Sequence, residues 1–231
     1  MFNLLLNLLN KKNNMKSKFK LWGSFFCLTL VSCIAKEKPT VENKFKQPIK
    51  TNRDQSMETA TFAGGCFWCT EAIFLNIKGV EKVVSGYIGG TTTNPTYSAI
   101  CTGTTGHAEA IQITFNPNEV AYEDLLELFF ATHDPTTLNR QGADVGTQYR
   151  SAVFYHSELQ KEKVEYYIAL IGKEGLYDQP IVTKVTAAMI FYPAEDYHQN
   201  YYNQNAEQGY CKMVIAPKLE KLRKYYKSKL K

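Results

Sequence analysis

The stretch that decides the fold is ETATFAGGCFWC, residues 58–69. Its first six residues predict a short strand, the paired glycines allow a tight turn, and the residues after 69 continue as a helix. Cys66 therefore lies where a helix begins, near the positive end of the helix dipole, and such a position lowers the pKa of a thiol from about 8.5 toward neutrality. We expect Cys66 to be a reactive thiolate, and the alternative is a buried structural cysteine.

The first 33 residues have the pattern of an export signal. Three lysines precede an apolar run at residues 21–31, which is too short to span a bilayer. The run ends in Leu30-Val31-Ser32-Cys33, and this ending resembles the lipobox of bacterial lipoproteins, whose cysteine receives a diacylglyceryl chain. We expect an exported protein that Cys33 anchors to the bacterial cell envelope, on its periplasmic or outer face. An ordinary secretory signal and an uncleaved anchor are the alternatives.

The excess positive charge of the chain lies in this leader. Residues 1–32 hold five lysines and no acidic residue, and removing these five from the 27 basic residues leaves 22, equal to the 22 acidic ones. The balanced remainder gives no electrostatic reason to expect nucleic-acid binding, which requires a positive surface on the folded part.

The chain divides into three parts. Residues 1–33 form the signal, whether Met1 or Met15 is the true start. Residues 34–57 contain prolines, lysines, asparagines and glutamines with little apolar periodicity, which is typical of a flexible tether. Residues 58–231 have the length of one ordinary domain with a core of its own.

A carboxyl group lies at the start of a second predicted strand, within TGHAEAIQITF at residues 105–115. Period-2 alternation places Glu109, Ile111, Ile113 and Phe115 on one face, and that face is otherwise apolar. A carboxyl group there loses solvation, which raises its pKa and makes it a candidate proton donor near neutral pH. The alternative for Glu109 is a strand-end residue that faces solvent or pairs with a lysine.

Two tyrosines and a cysteine lie in segments punctuated by glycine or proline. Tyr97 follows Asn94-Pro95-Thr96, and Tyr149 lies in GADVGTQYRS at residues 142–151. A phenol can hold a polarised oxygen as a neutral donor, although either tyrosine alone is weak evidence. Cys211 follows a polar stretch, and we expect it to be on a mobile C-terminal segment that can reach another sulfur.

Three motifs carry a resemblance to a known family. Gly65-Cys66-Phe67-Trp68, Gly106-His107-Ala108-Glu109 and Gln148-Tyr149-Arg150-Ser151 resemble the A-type peptide methionine sulfoxide reductases, over about residues 59–211. The resemblance implies an α/β (α+β) fold, a compact two-layer sandwich with a ferredoxin-like mixed sheet and surrounding helices, without metal or organic cofactor. It makes residues 58–231 a monomeric catalytic domain that reduces methionine S-sulfoxide in oxidised proteins, with the free amino acid left open as a substrate.

The resemblance also assigns roles to single residues. Cys66 becomes the nucleophile that attacks the sulfoxide sulfur. Around it the resemblance places Glu109 as the acid that protonates the oxygen, Tyr97 and Tyr149 as phenols that bond this oxygen, Asp144 as a supporting carboxylate, and Phe67 and Trp68 as the pocket for the methyl group. Attack leaves a sulfenic acid on Cys66, and a resolving thiol then forms a disulfide that a thioredoxin-like reductant opens.

Two cysteines compete for the resolving role, because many relatives have glycine where this chain has Cys69. A helical Cys69 would lie about 300° round the helix from Cys66 and would need local distortion to form a disulfide. We therefore favour Cys211 and keep Cys69 as the alternative. Cys101 is expected to have a packing role.

Two other classes of protein could use the same cysteines. A thiol-disulfide oxidoreductase would use Cys66 and Cys69 directly, but the chain lacks a small turn-forming pair between them and a thioredoxin-like frame. A zinc-binding module would need two further ligands at regular spacing, and Cys101, His107 and Cys211 form no second recognisable pair.

Overall fold

The computed structural model describes residues 56–231. The expected export signal at 1–33, the anchor Cys33 and all but the last two residues of the expected tether at 34–57 lie outside the described residues. Between residues 56 and 231, no helix has the length and the apolar composition that a membrane span requires.

The centre of the fold is a six-stranded mixed sheet. Its strands are β1 (Glu58–Gly64), β2 (Val80–Ile88), β3 (Ala108–Phe115), β6 (Ser151–Tyr155), β7 (Lys184–Ala187) and β8 (Tyr192–Pro193), in the order β7-β6-β1-β3-β2-β8. Only the β6–β7 pair in this sheet is parallel. Two short strands, β4 (Arg140–Gln141) and β5 (Asp144–Val145), form a separate hairpin.

Residues 58–69, quoted first above, supply β1, a central strand of the sheet. Phe62 of β1 lies opposite Ile111 of β3 and Val153 of β6, and all three side chains are fully buried. Successive residues of a strand point to opposite faces of a sheet. Phe62 therefore enters the main core, whereas its neighbour Ala63 enters a smaller cluster on the other face.

Helices cover the face of the sheet that carries the main core. They are α1 (Phe67–Phe74), α2 (Tyr97–Cys101), α3 (Tyr122–Thr132), α4 (Glu158–Lys173), α5 (Tyr201–Asn205) and α6 (Ala216–Tyr225), with 3-10 turns at Thr147–Tyr149, Asp196–His198 and Lys227–Lys229 and a π-helix at Cys211–Ile215. The opposite cluster is small and packs against Ala188 and Phe191. The mixed sheet with helices confirms the expected fold class.

The C-terminal helix belongs to the core. Leu219 and Leu222 of α6 are buried in the main cluster. Beyond the helix, the backbone amide of Lys78 donates to the carbonyl of Lys229, and that of Lys231 donates to the carbonyl of Asn76. These bonds fix the chain end beside the end of α1, the helix that begins at Cys66.

Candidate active site

The junction between β1 and α1 has the predicted strand, turn and helix. Gly65 has φ 90, and a side chain there would meet Gln141 at 2.5 Å, so the turn requires glycine. Cys66 follows as the N-cap of α1, with the non-helical angles φ -53 and ψ 122. The backbone amide of Cys69 donates to the carbonyl of Cys66 across 3.1 Å and closes the first turn.

The pKa of Cys66 differs from the sequence prediction. Only 8% of the residue is exposed. Burial, the neighbouring Cys69 and the carboxyl group of Glu109 raise the pKa of the Cys66 thiol. The prediction of a lowered pKa was wrong for the resting protein, because it considered the helix dipole and neglected desolvation by groups distant in sequence.

Cys69 is the thiol of the pair with the lower pKa. A hydrogen bond from Cys66 and the charge of Lys218 lower the pKa of Cys69 to about 7, against the effects of burial and of Asp144. At neutral pH a substantial fraction of Cys69 is therefore thiolate, and Cys66 donates its proton toward it. The Cys66-Phe67-Trp68-Cys69 turn places a thiol and a proton acceptor side by side.

Glu109 lies beside this turn on the face that the strand alternation predicted. The residue is 1% exposed, and its Oε2 accepts a hydrogen bond of 3.1 Å from the backbone amide of Phe67. Burial raises the pKa of Glu109 to about 8, and Asp144 and Cys69 act in the same direction, whereas the Phe67 amide lowers it. Glu109 is therefore mostly a neutral acid at pH 7.

Aromatic rings form the wall of the site around Trp68. The Trp68 ring stacks on Tyr201 with centroids 3.7 Å apart, and its Nε1 donates to His198 Nδ1 across 3.1 Å. His198 also lies against Phe67 and Tyr97, with ring centroids at 5.0 Å and 4.4 Å. Burial lowers the pKa of His198, which keeps it a neutral acceptor for Trp68. His198 thus joins the predicted pocket residues Phe67 and Trp68 to Tyr97.

Glu195 holds Tyr97 in place. Its Oε1 accepts from the backbone amide of Tyr97, and its Oε2 accepts from the hydroxyl of Tyr87, both at 2.8 Å. Tyr87 is the residue of β2 paired with Glu109 of β3. One carboxylate therefore connects the first residue of α2 to the strand beside the acid.

The other predicted loop reaches the same place. Asp144 belongs to the short strand β5, and Tyr149 ends the 3-10 turn that follows it. Burial raises the pKa of Tyr149, and the nearby Glu109 and Cys66 raise it further, so the phenol stays protonated. Glu109 acts on Tyr97 in the same way. The structure thus brings Cys66, Glu109, both tyrosines and Asp144 together.

Two cysteines differ from their predicted environments. Cys211 begins the π-helix Cys211–Ile215 and is buried in the main core, so it is not on an exposed, mobile segment. The sequence prediction against a Cys66–Cys69 disulfide placed the two residues about 300° apart around one helix. It assumed that Cys66 is helical, but Cys66 is a non-helical N-cap. Which thiol resolves the sulfenic acid stays a prediction. Cys101 is exposed and lies beside the hydroxyl of Tyr97, so its expected packing role was wrong.

Sequence reasoning missed four residues of this site. They are Glu195, His198, Tyr201 and Tyr210, whose hydroxyl donates to Asp144 Oδ2 across 2.8 Å. All come from the segment after β8 and contact partners more than 60 residues away. Their signal in the sequence is only a run of polar and aromatic residues. Within residues 56–231, no group of three or more His, Cys, Asp and Glu side chains is arranged to hold a metal ion.

Comparisons with known proteins match nearly all of the described chain. Residues 58–230 match the family model described as peptide methionine sulfoxide reductase. The peptide methionine sulfoxide reductase MsrA of Deinococcus radiodurans is 58% identical over 181 residues, which are 78% of this chain and 88% of that protein. The MsrA of Chromobacterium violaceum is 56% identical over 170 residues, which are 74% of this chain and 97% of that protein.

Solved structures agree with these relatives. The reduced form of Mxr1 from Saccharomyces cerevisiae has a TM-score of 0.60 and 35% identity, and the match covers 67% of this chain and 89% of that one. Methionine sulfoxide reductase A of Corynebacterium diphtheriae has the same TM-score, 0.60, and identity, 35%, with coverage of 70% and 80%.

Fold and site together define a cysteine-dependent redox enzyme, in which a buried thiol, a second ionisable thiol and a neutral carboxylic acid share one aromatic pocket. With the family model and the relatives, the particular family follows: the chain belongs to the peptide methionine sulfoxide reductases of the A type and is an oxidoreductase.

Proposed function

We propose that the enzyme reduces methionine S-sulfoxide in oxidised proteins, with Cys66 as the nucleophile and Glu109 as the proton donor. The observation that carries the proposal is the neutral carboxyl group of Glu109, held by the Phe67 amide beside the turn that presents Cys66. A sulfoxide oxygen is a poor leaving group until it gains a proton. Glu109 can supply this proton at pH 7, and Tyr97 and Tyr149 add neutral donors to the same oxygen.

Cys69 can accept the proton that the raised pKa of Cys66 keeps on the nucleophile. Cys66 is hydrogen-bonded to Cys69, which is partly thiolate at neutral pH. As the Cys66 sulfur attacks, its proton passes to Cys69. The oxygen of the sulfoxide ends on Cys66 as a sulfenic acid, methionine leaves, and two electrons have moved from the Cys66 sulfur to the substrate.

The aromatic wall suits the methyl group of the substrate. Phe67 and Trp68 offer apolar surface there, and the Tyr201 stack and the His198 hydrogen bond hold the Trp68 ring rigid. A pocket of this kind discriminates by about 1–3 kcal/mol per methylene group. With the oxygen fixed at Glu109 and the methyl group at Trp68, only one sulfoxide epimer directs its sulfur at Cys66.

Recycling requires a second cysteine and an external dithiol. Cys69 lies beside Cys66 and has a pKa of about 7, so it is partly thiolate at neutral pH once the proton from Cys66 has passed to solvent, whereas Cys211 is buried in a π-helix. These contacts favour Cys69 for the first disulfide, with Cys211 as the alternative. A thioredoxin-like reductant then opens the disulfide. Peptide mapping after one turnover decides between the cysteines: a Cys66–Cys211 link would return the role to Cys211.

The decisive assay uses the two separated epimers of a methionine sulfoxide peptide, with dithiothreitol as the reductant. We expect turnover of the S epimer only, and none with Cys66→Ser. The free amino acid, assayed alongside, establishes whether a peptide is needed. Appreciable turnover of the R epimer would defeat the assignment.

We also propose that the enzyme is exported and lipid-anchored through Cys33. Support comes from the apolar run and from its ending Leu30-Val31-Ser32-Cys33. A diacyl group attaches a protein stably, whereas a single chain is marginal. Wild-type protein should enter the detergent phase and Cys33→Ala should not; equal partitioning contradicts the proposal.

One chain supplies every site residue, so we expect a monomer, which sedimentation of the detergent-free Cys33→Ala protein can measure.

A further inference from the structure

The hydroxyl group of Tyr210 lies between a cysteine and a carboxylate. Its oxygen is 3.7 Å from Cys69 Sγ, and it donates to Asp144 Oδ2 across 2.8 Å. It is also within hydrogen-bond reach of Cys66. The edge of the ring packs against Trp68, with centroids 6.0 Å apart, which limits its movement. One phenol thus contacts both sulfur atoms of the Cys66–Cys69 turn.

This phenol has one proton and two neighbours able to accept it. When Cys69 is a thiol, its S–H can point at the phenol oxygen while the phenol proton stays on the hydrogen bond to Asp144. When Cys69 is a thiolate, its sulfur becomes a charged acceptor, and rotation of the hydroxyl turns the proton from Asp144 to the sulfur. The change moves one hydrogen atom and needs no backbone movement.

We propose that Tyr210 is the positioning residue of the recycling step: its hydroxyl stabilises the Cys69 thiolate beside Cys66, and Asp144 holds this hydroxyl while Cys69 is protonated. The proposal rests on the proposed function, which makes Cys66 the oxidised sulfur. In the step, the Cys69 thiolate attacks the Cys66 sulfenic sulfur, an S–S bond forms, and the S–O bond breaks. The oxygen leaves as hydroxide and becomes water by taking up a proton. Cys69 is oxidised as the sulfenic sulfur is reduced, so the electrons balance.

Other groups also change the pKa of Cys69, and the opposite directions of their effects make the test specific. In the described part of the chain, the titratable and charged groups that face it are Cys66, Glu109, Asp144, Tyr210, Cys211 and Lys218. The hydrogen bond from Tyr210 lowers the pKa of Cys69, whereas the charge of Asp144 raises it. Removal of the phenol and removal of the Asp144 charge should therefore have opposite effects.

The experiment measures disulfide closure separately from methionine sulfoxide reduction. Full-length protein with Cys211→Ser is first given one equivalent of a methionine S-sulfoxide peptide at pH 6, where Glu109 is neutral and the reaction places the sulfenic acid on Cys66. The sample is then mixed rapidly into buffer of the test pH, and methionine release is measured separately. Mass spectrometry then follows the loss of two hydrogens from the peptide that contains Cys66 and Cys69, between about pH 6 and about pH 10. The variants are Tyr210→Phe, Asp144→Asn and the matched control Tyr177→Phe, whose lost hydroxyl donates to the carbonyl of Phe130 on α3 and is not part of the aromatic wall.

We expect Tyr210→Phe to close the disulfide about fivefold more slowly at pH 7 and nearly tenfold more slowly at pH 6, the effect of about one pKa unit on a thiol whose pKa is about 7. The rate should match that of the parent near pH 10, where Cys69 is ionised in both proteins. Asp144→Asn should close at least as fast as the parent at pH 6, and Tyr177→Phe should close at the parental rate at every pH.

A Tyr210→Phe protein that closes at the parental rate at pH 7, or that stays slow at pH 10, overturns the proposal. Slow closure at every pH would mean that the phenol only supports the local structure. Should Tyr210→Phe fail to fold, Asp144→Asn decides, because slower closure at pH 6 contradicts the assigned sign. Absence of released methionine from the first step would instead refute the proposed function, whereas methionine release with unchanged closure would refute the role of Tyr210 alone.

Discussion

The backbone amide of Phe67 donates its hydrogen bond directly to Glu109 Oε2, at 3.1 Å. The bond joins the first residue of the helix that follows Cys66 to the carboxyl group on the neighbouring strand β3. The backbone of the helix that presents the nucleophile therefore holds the carboxyl group of the acid in place. Such preorganisation removes the reorganisation that a reaction would otherwise require.

Replacement of the acid should affect the chemical step. Glu109→Gln keeps an acceptor for the Phe67 amide but cannot donate a carboxylic proton, so we expect kcat to fall by about 10²–10⁴-fold. Burial raises the pKa of Glu109 to about 8. The wild-type rate should therefore decline as the pH rises through that value. The residual rate of the variant should show no such alkaline decline. Single-turnover methionine release across pH measures both effects. Wild-type behaviour at pH 7 would return Glu109 to a structural role.

The same carboxyl group should make the fold less stable at alkaline pH. Its folded-state pKa, about 8, lies above the ordinary glutamate value of 4.5. The stabilisation that Glu109 contributes in its neutral form is therefore complete below pH 4.5 and is lost as the pH rises through 8. Urea unfolding of wild type and Glu109→Gln should diverge by a few kcal/mol between pH 5 and pH 9. Parallel pH profiles would contradict the raised pKa.

The charge of Lys218 should contribute to the low pKa of Cys69. Lys218 lies on α6, and its charge lowers the pKa of Cys69. We expect Lys218→Met to raise the pKa of Cys69 by a fraction of a unit, because part of the charge is screened by solvent. Thiolate absorbance of the Cys211→Ser protein, titrated with and without the change, measures the shift. Lys221→Met, at an exposed position of the same helix, is the control and should leave the titration unchanged.

Local pattern predicted the frame of the site and part of its chemistry. Strand alternation placed Glu109 on the buried face, and the paired glycines placed Cys66 at the start of a helix. Both features depend on residues within one strand or one turn. The raised pKa of Glu109 followed from the same face, because desolvation was the only cause that the argument needed.

The remainder depends on contacts between segments distant in sequence. The sign of the Cys66 pKa was wrong because its burial comes from elements that no window around Gly65 reveals. Tyr210 reaches Cys69 across 141 positions, and Glu195 reaches Tyr97 across 98. Such pairs are set by the route of the chain after β8, and a local periodicity can predict a helix there but not the distant residues that it contacts.

The carboxylate of Glu195 should control substrate binding through Tyr97. Glu195→Ala removes the acceptor of the Tyr97 amide and of the Tyr87 hydroxyl together. Hydrogen bonds to charged groups contribute about 1.5–3 kcal/mol, so we expect kcat/KM to fall about tenfold or more. Tyr87→Phe is the matched control, because it removes one bond and leaves Tyr97 held. Equal losses in both variants would place the effect at Tyr87 instead.

His133 should set part of the acid sensitivity of the fold. Its Nδ1 donates to the carbonyl of Phe129 at 2.6 Å, so Nε2 carries no proton and accepts from the Ser151 hydroxyl at 2.8 Å. Burial lowers the pKa of His133 from 6.5 to about 4. The neutral ring therefore stabilises the fold fully above pH 6.5, and this contribution is lost as the pH falls toward 4.

We expect His133→Gln to be less stable than wild type at pH 7 but to lose less further stability on acidification, with a difference of about 3 kcal/mol between pH 7 and pH 4. Urea unfolding at a series of pH values measures this difference. His156, which bonds Thr61 near the sheet, also has a lowered pKa and is the control. It is less buried, so His156→Gln should flatten the acid limb less than His133→Gln does. An acid limb unchanged by His133→Gln would assign the sensitivity to the carboxylates.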